Sequence, residues 1–547
     1  MDFTTEKTNL QYKKIPKNCA VIDNFSYLMY YAFTLRGSTM KKFLFALVAV
    51  LLFVGAVSTI SFQAFASGEA ENISKNVTLS GTGYASFGFL TDGNINYYPA
   101  SSGNTVINVD SEKAIGSLYI MFSLAYGEYT ITANEETVKV GKYGFLHEYI
   151  DISSLFEDDV TSLTIEFSSG SVRLSEIFVF TEGETPSFVQ KWAPPLEENA
   201  DLLLFATHGD DDQLFFAGLL PHYAWYKGYR VQVAYLTDHR NLTGQRVHEM
   251  LNGLWAVGVT AYPVFGSFAD FRIDSLEQTY AYYQALGTTK DDLYSFVTEQ
   301  IRRFKPLVVV THDFKGEYGH GMHQVYADLT SQAVKITNDS SVFPESYEKY
   351  GGWEVQKAYF HLYGENEIVM DFDTPQDCFD GLSAFQISQK YGYPCHVSQQ
   401  PTWFTQWING YSGEITKASQ IKTYNPCQYG LYFSTVGEDK NKNDMFENVI
   451  TYAEQERIQL EKEESERLEQ SRIEQSVADE LSRQEEQSRL DESSRLLEES
   501  KNNLSNASDT SSVSEVDDGQ KQTLLAAGVM LCVFSPLIIY LATRKRK

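Results

Sequence analysis

Apolar and polar residues alternate in short runs between Ala70 and Gly183, as at Leu118, Ile120, Phe122 and Leu124, or at Leu163, Ile165 and Phe167. A period of two, punctuated by Gly, Asn and Ser, predicts strands with one buried face, and several in one stretch predict a β-sandwich over residues 70–183. Residues 184–200, with Pro186, Pro194 and Pro195, read as a linker. Beyond it the pattern changes. Asp201–His208, Tyr229–Asp238, Val259–Gly266 and Pro306–Asp313 read as buried strands, separated by helical stretches such as Gly244–Val257 and Asp291–Phe304. Strand and helix in alternation predict a Rossmann-like α/β domain over 201–436, its mostly parallel sheet covered on both faces. Such sheets collect ligands at the carboxyl ends of their strands.

Residues 452–500 are rich in Glu, Gln, Ser and Arg and predict a solvated helical stalk. Ile473, Val477, Leu481 and Leu490 are too sparse for a firm heptad seam, so weak self-association through the stalk is the alternative. The Ser-, Asn- and Asp-rich stretch at 501–522 is expected to be disordered. Residues 40–66 open with Lys41 and Lys42 and close on Ala64-Phe65-Ala66, the layout of a signal peptide; the upstream extension 1–39 carries no clear pattern. Leu524–Ala542 predicts a transmembrane helix, and the basic tail at 543–547 assigns its end to the cytoplasm. The expected architecture is thus multidomain: β-sandwich, Rossmann-like α/β domain, helical stalk and transmembrane helix. It implies a single-pass protein of the cell membrane with the α/β domain extracellular, as on a Gram-positive-type bacterium, and a membrane contact through the last helix.

A formal charge of -28 leaves no basic stripe for phosphates and excludes a nucleic-acid partner. Cys378, Cys395 and Cys427, the cysteines between the two long apolar runs, allow at most one internal bridge.

The first α/β strand runs straight into His208-Gly209-Asp210-Asp211-Asp212, and such an acidic cluster is costly unless a cation or a reaction uses it. Tyr318-Gly319-His320-Gly321-Met322-His323 follows the strand ending at Asp313, at the same edge of the sheet. Either motif alone also arises as a helix cap or a surface cluster. Together they point to a metal centre. Two histidines and a carboxylate suit zinc and leave a position for water, which marks a catalytic rather than a structural site.

In this ordered set of motifs, over about Asp201 to Tyr432, the chain resembles the PIG-L family of de-N-acetylases, whose two motifs read His-Pro-Asp-Asp-Glu and His-Pro-Asp-His. Arg246 and Glu249 match an Arg-x-x-Glu on the following helix, and Cys395–Gln399 match a late His-x-Ser-Gln. The resemblance implies His208, Asp211 and His323 as ligands to Zn2+ or another divalent metal, and Asp210 as general base. His320 is implied to stabilise the oxyanion or protonate the leaving amine, with Arg246 and His396 as substrate contacts; Arg246 could equally pair with Glu249. The implied reaction is zinc-dependent removal of acetate from an N-acetylated sugar of GlcNAc type, or from an envelope glycan. Ser171–Phe180, "SVRLSEIFVF", resembles the last strand of discoidin-like, galactose-binding-type sandwiches.

Three departures from the family pattern matter. Gly209 replaces proline and Asp212 replaces glutamate, neither assigned to the metal or the proton. Met322 replaces an aspartate that orients the neighbouring histidine, a task Asp313 could take over. His312, His222 and His248 read as ordinary core or surface histidines. The alternative function is a catalytically inactive glycan-binding surface protein, favoured by Met322 and opposed by the intact His208, Asp210, Asp211 and His323.

Overall fold

The computed structural model describes residues 68–237, 244–400 and 402–507. The signal peptide, the transmembrane segment, the basic tail and most of the disordered linker expected from the sequence lie outside these residues. The chain divides after Glu456 into two units, each described by itself.

The first unit opens with strands β1 (Thr78–Thr82), β2 (Thr105–Asp110), β3 (Ser117–Phe122), β4 (Tyr129–Ala133), β5 (Glu136–Val140), β6 (His147–Asp151), β7 (Ser162–Phe167) and β8 (Leu174–Phe180). They form two antiparallel sheets, β1-β2-β7-β4-β5 and β6-β3-β8. Alternate residues of the larger sheet, Ile107, Val109, Ile131, Leu163 and Ile165, share a core with Leu118, Ile120, Ile177 and Val179 of the smaller one, which is the expected sandwich. Leu124 breaks the expected alternation because β3 ends at Phe122 and the chain turns outward, leaving Leu124 48% exposed. β3 is buried on both faces, since Tyr119 and Met121 pack outward against Val189. Residues 184–200 are therefore no loose linker. Gln190 and Trp192 are buried, and Ala193 exchanges backbone hydrogen bonds with Thr260 and Tyr262.

The α/β sheet comprises β9 (Leu202–Ala206), β10 (Val231–Thr237), β11 (Val264–Phe268), β12 (Val308–Thr311), β13 (Lys357–His361), β14 (Glu367–Val369) and, after a short ribbon of β15 (Pro375–Gln376) and β16 (Leu382–Ser383), β17 (Gln428–Ser434). Its order is β11-β10-β9-β12-β13-β17-β14, parallel through β13 and antiparallel at the far edge. The apolar runs are continuous because successive residues face two cores: Leu202 and Leu204 one, Leu203 and Phe205 the other. β11 begins five residues later than its apolar run predicts, just after Pro263, which has no N–H to give the ladder.

Around the sheet lie helices α1 (Asp211–Leu214), α2 (Gly244–Ala256), α3 (Leu276–Ala285), α4 (Lys290–Phe304) and α5 (Gly321–Ala333). α4 starts at a Thr289–Asp292 capping box and buries Leu293, Val297, Ile301 and Phe304, one face at helical spacing. The domain continues past the expected boundary at 436. A buried Lys357–Asp439 ion pair, buried Met445 and Phe446, and a hydrogen bond from Tyr452 Oη to the Lys305 carbonyl (2.7 Å) tie the following residues to it.

One helix, α6 (Tyr452–Ala507), spans 56 residues and carries the chain into the second unit. It extends the predicted stalk into the stretch expected to be disordered, through Ala507, and leaves Leu481, Leu490 and Leu496 more than half exposed. Among the described residues no helix is long and apolar enough to cross a membrane. α6 has the length, but its charges recur in nearly every turn. This finding corrects the expected fold and the single-pass cell-surface location, which the described structure does not support; the membrane contact is likewise without support, and Leu524–Ala542 itself lies outside the described residues.

Candidate metal centre and active site

β9 and β12 are neighbours in the sheet, so their carboxyl ends deliver the two sequence motifs to one place. His208 follows β9, and His323 projects from the first turn of α5. His208 Nδ1 lies 3.1 Å from Asp211 Oδ2 and 3.2 Å from His323 Nε2, and the latter two atoms are 3.3 Å apart. Ligands on a tetrahedron at ~2.0–2.1 Å from a central ion stand roughly 3.3 Å from one another, so these atoms match one of its faces. Two imidazoles and a carboxylate are also the donor types a zinc-like divalent ion takes. The residues fit a metal.

Each histidine of this trio is backed by a carboxylate. Asp270 Oδ1 is 3.2 Å from His208 Nε2, and Glu317 Oε2 is 2.7 Å from His323 Nδ1, so the outer nitrogens donate and the inner ones turn their lone pairs to the cluster. Burial works against a charged His208, but Asp270 and Asp211 raise it to about 10, which shows how strongly the site favours positive charge. Burial would likewise raise Glu317, yet His312, His323 and His361 hold it well below the usual carboxylate range. His361 Nδ1 lies 2.6 Å from Glu317 Oε1, and its Nε2 lies 3.0 Å from the Asn425 carbonyl, which can only accept. With a proton required on Nε2, His361 donates to the Asn425 carbonyl and sets its Nδ1 against Glu317.

His312 is not an ordinary core histidine. It stacks on His323 at 4.0 Å, and its Nε2 approaches Asp211 Oδ2 at 3.5 Å. Its Nε2 accepts from the Thr207 N–H (3.0 Å) and its Nδ1 donates to Glu317 (2.8 Å), so neither nitrogen is available to a metal. It supports the trio from behind.

Asp210 is buried beside the cluster, paired with Arg246 at 2.9 Å. Burial raises its pKa, and Arg246 opposes the rise. Arg246 therefore joins Asp210 rather than Glu249, which instead accepts from Ser398 N (2.8 Å) and Oγ (2.5 Å) and pins the late motif to α2. His396 is buried against Gly253, where a methyl group would meet its Nε2 at 2.7 Å, and burial lowers it to about 3. Burial pushes Asp212 up to about 8.

His320 Nδ1 accepts from the Met322 N–H (3.2 Å), which leaves the proton on Nε2. Burial, with His208 and His323 nearby, lowers it to about 2, so the ring is a neutral N–H donor. Met322 is wholly buried, and its sulfur accepts from Phe271 N at 3.4 Å. The carboxylate that reaches this cluster is Glu317 rather than Asp313. The glycines of the motifs have steric reasons: a Cβ at 209 would lie 2.8 Å from Met250 Sδ, and one at 321 would lie 2.1 Å from Thr279 Oγ1. Gly321 also donates its N–H to Ile273 O at 2.7 Å, which proline could not do.

Aromatic rings border the histidines. Tyr318, held at φ +46°, packs against Trp403, Phe404 and Trp407 at 5.3–5.7 Å, with Arg272 over its face at 4.7 Å. Trp403 is 46% exposed. Asp270, Glu317, His361 and this aromatic border were not anticipated from sequence, although "WFTQW" at 403–407 repeats aromatics at helical spacing.

Residues 203–334 match the profile of the PIG-L family, GlcNAc-PI de-N-acetylase. This segment belongs to the PIG-L family. The PIG-L segment holds both motifs, Asp270 and Glu317, and covers no residue of the sandwich, whose likeness to discoidin-like modules rests on strand pattern alone. The chain is 26% identical over 190 residues to the 1D-myo-inositol 2-acetamido-2-deoxy-alpha-D-glucopyranoside deacetylase of Mycobacterium leprae (strain Br4923), covering 31% of this chain and 61% of that protein. It is 29% identical over 206 residues to the protein of the same name from Mycobacterium sp. (strain JLS), covering 34% and 62%. The match thus spans about three fifths of these relatives. Among solved structures, the N,N'-diacetylchitobiose deacetylase of Pyrococcus horikoshii aligns at a TM-score of 0.29 and 15% identity, covering 43% of this chain and 83% of that one, too slight a likeness to argue from.

Proposed function

We propose that this chain is a metal-dependent de-N-acetylase of a GlcNAc-type amino sugar. The observation that carries the reading is the trio of His208, Asp211 and His323, with donor atoms 3.1–3.3 Å apart and a buried carboxylate, Asp210, beside them. The trio would hold a divalent ion, with zinc first in order of fit. Such an ion supplies Lewis acidity for an amide carbonyl and makes water more acidic. Asp210, raised by burial yet kept in reach of ionisation by Arg246, accepts the proton of the attacking water. His320, neutral with its proton on Nε2, donates a hydrogen bond to the oxygen that gains charge. Arg246 orients Asp210, and the exposed ring of Trp403 offers a sugar an apolar face.

The names of the relatives support an N-acetylglucosaminyl substrate, and the profile match supports the reaction class. The test is acetate release from a panel of N-acetylated sugars and glycan fragments, before and after chelation and with zinc, cobalt or iron restored. Release that disappears with the chelator and returns with one metal is expected. Release that ignores the chelator, or is absent from every N-acetyl sugar, would refute the reading.

A further inference from the structure

A cavity of about 300 Å³ opens between the sandwich and the α/β domain and shares no lining residue with the metal centre. That is the lower end of the range for small-molecule sites, roughly 300–1,000 Å³. Tyr143 contributes from the sandwich; Tyr262, Phe265, Phe296, Gln300 and Arg303 contribute from the α/β domain. Its wall is fixed across both parts. Tyr143 stacks on Phe145 at 5.5 Å, Phe145 stacks on Tyr262 at 4.6 Å, and the Tyr262 hydroxyl accepts from Leu146 N at 3.1 Å.

Two polar groups on α4, Gln300 and Arg303, are left over in the lining. Gln300 is 5% exposed, and its Oε1 has no hydrogen-bond partner among the described residues, an arrangement that buried amides avoid unless something else supplies the donor. Arg303, three residues on and therefore on the same helix face, makes no ion pair among the described residues; its guanidinium carbon lies 4.9 Å from the Phe304 ring centroid. Tyr143 is 51% exposed, with its ring at the cavity. An apolar ring face, an acceptor that lacks a donor, and a guanidinium that lacks an anion together describe the complement of a sugar bearing a carboxylate: C–H face, hydroxyl and anion.

We propose that this cavity binds a carboxylate-bearing pyranose, with the ring against Tyr143, a hydroxyl donating to Gln300 Oε1 and the carboxylate on Arg303. The site is separate from the chemistry at Asp210 and gives the chain a second hold on an acidic glycan.

Binding is measured calorimetrically on the full-length chain with D-glucuronate, D-glucose and benzoate, none of which carries an N-acetyl group to hydrolyse. Saturable binding of glucuronate is expected, roughly tenfold tighter than glucose. Arg303→Ala should erase that preference, and Tyr143→Ala should weaken both sugars. Arg303→Lys should restore part of the preference, and thermal melts should confirm that each variant is folded. Absence of saturable binding, glucuronate affinity indifferent to Arg303→Ala and Tyr143→Ala in folded variants, or benzoate binding as tightly as glucuronate would overturn the proposal. Acetate release from monomeric N-acetylglucosamine by these variants reports on the deacetylase reading alone, so the two can fail separately.

Discussion

The molecule buries histidines in two contrasting settings. His208, His312, His323 and His361 share three carboxylates, Asp211, Asp270 and Glu317, and the cluster is organised around positive charge. His147 and His248, stacked at 4.9 Å where the sandwich meets α2, have an amide instead. Trp192 Nε1 donates to Gln190 Oε1 (2.8 Å), the same oxygen lies 2.8 Å from His147 Nδ1, and His147 Nε2 lies 2.6 Å from His248 Nδ1. The oxygen can only accept, so His147 donates to it and accepts from His248, and both rings are neutral. Burial holds His147 well below its usual pKa and brings His248 to about 4. Burial alone therefore does not set a histidine's state; the groups that face its nitrogens do.

The largest effect expected from this contrast is at Asp210. Asp210→Asn should keep its metal and lose ~10²–10⁴-fold in turnover, because an amide takes no proton. His323→Ala should instead lose the metal, and metal content measured beside acetate release separates the two. Glu317→Gln removes the charge behind His323, and a chelator competition should show metal affinity falling ~10–100-fold, with turnover recovering at saturating metal. Unchanged affinity would mean that the backing carboxylate is structural only.

Met322→Asp probes the other side of the contrast, a carboxylate introduced where the surroundings are apolar. The side chain is fully buried beside Phe271 N, so a loss of at least about 2 kcal/mol in a denaturant melt is expected, whereas Met322→Leu should cost little. The smallest effect concerns acid. His248 has a folded pKa of about 4 against 6.5 unfolded, so the unfolded chain binds the extra proton first. Its contribution is complete above pH ~6.5 and is lost as pH falls toward 4. Melting curves over that window should flatten in His248→Gln relative to the parent.

How far the sequence could be read depended on how locally each feature is encoded. Strands with a consistent pattern, β7 or β9, were legible because every residue on a face meets the same surroundings. β13 was not, since Lys357 at its start reads as solvent-facing and is buried only because Asp439, 82 residues on, neutralises it. The juxtaposition of His208, Asp211 and His323 was legible through two contiguous motifs. Glu317 and Asp270 were not, because an acid in a Gly-rich loop or after an edge strand looks exposed until the fold closes over it. The membrane helix was inferred from composition in a segment outside the described residues, and no described helix has the required character.

Glu317 joins residues from the end of β12, the start of α5 and the end of β13 through one carboxylate. In mutational terms positions 312, 317, 323 and 361 behave as a single locus. A change at one alters what the others can tolerate, so double-mutant cycles among them should depart from additivity by roughly 0.5–3 kcal/mol. A lineage that lost Glu317 would leave His361 without the carboxylate at its Nδ1 and His312 with a proton it could no longer donate. Substitutions at these four positions should therefore be inherited together, and a related chain with one altered is the place to look for compensating changes at the rest.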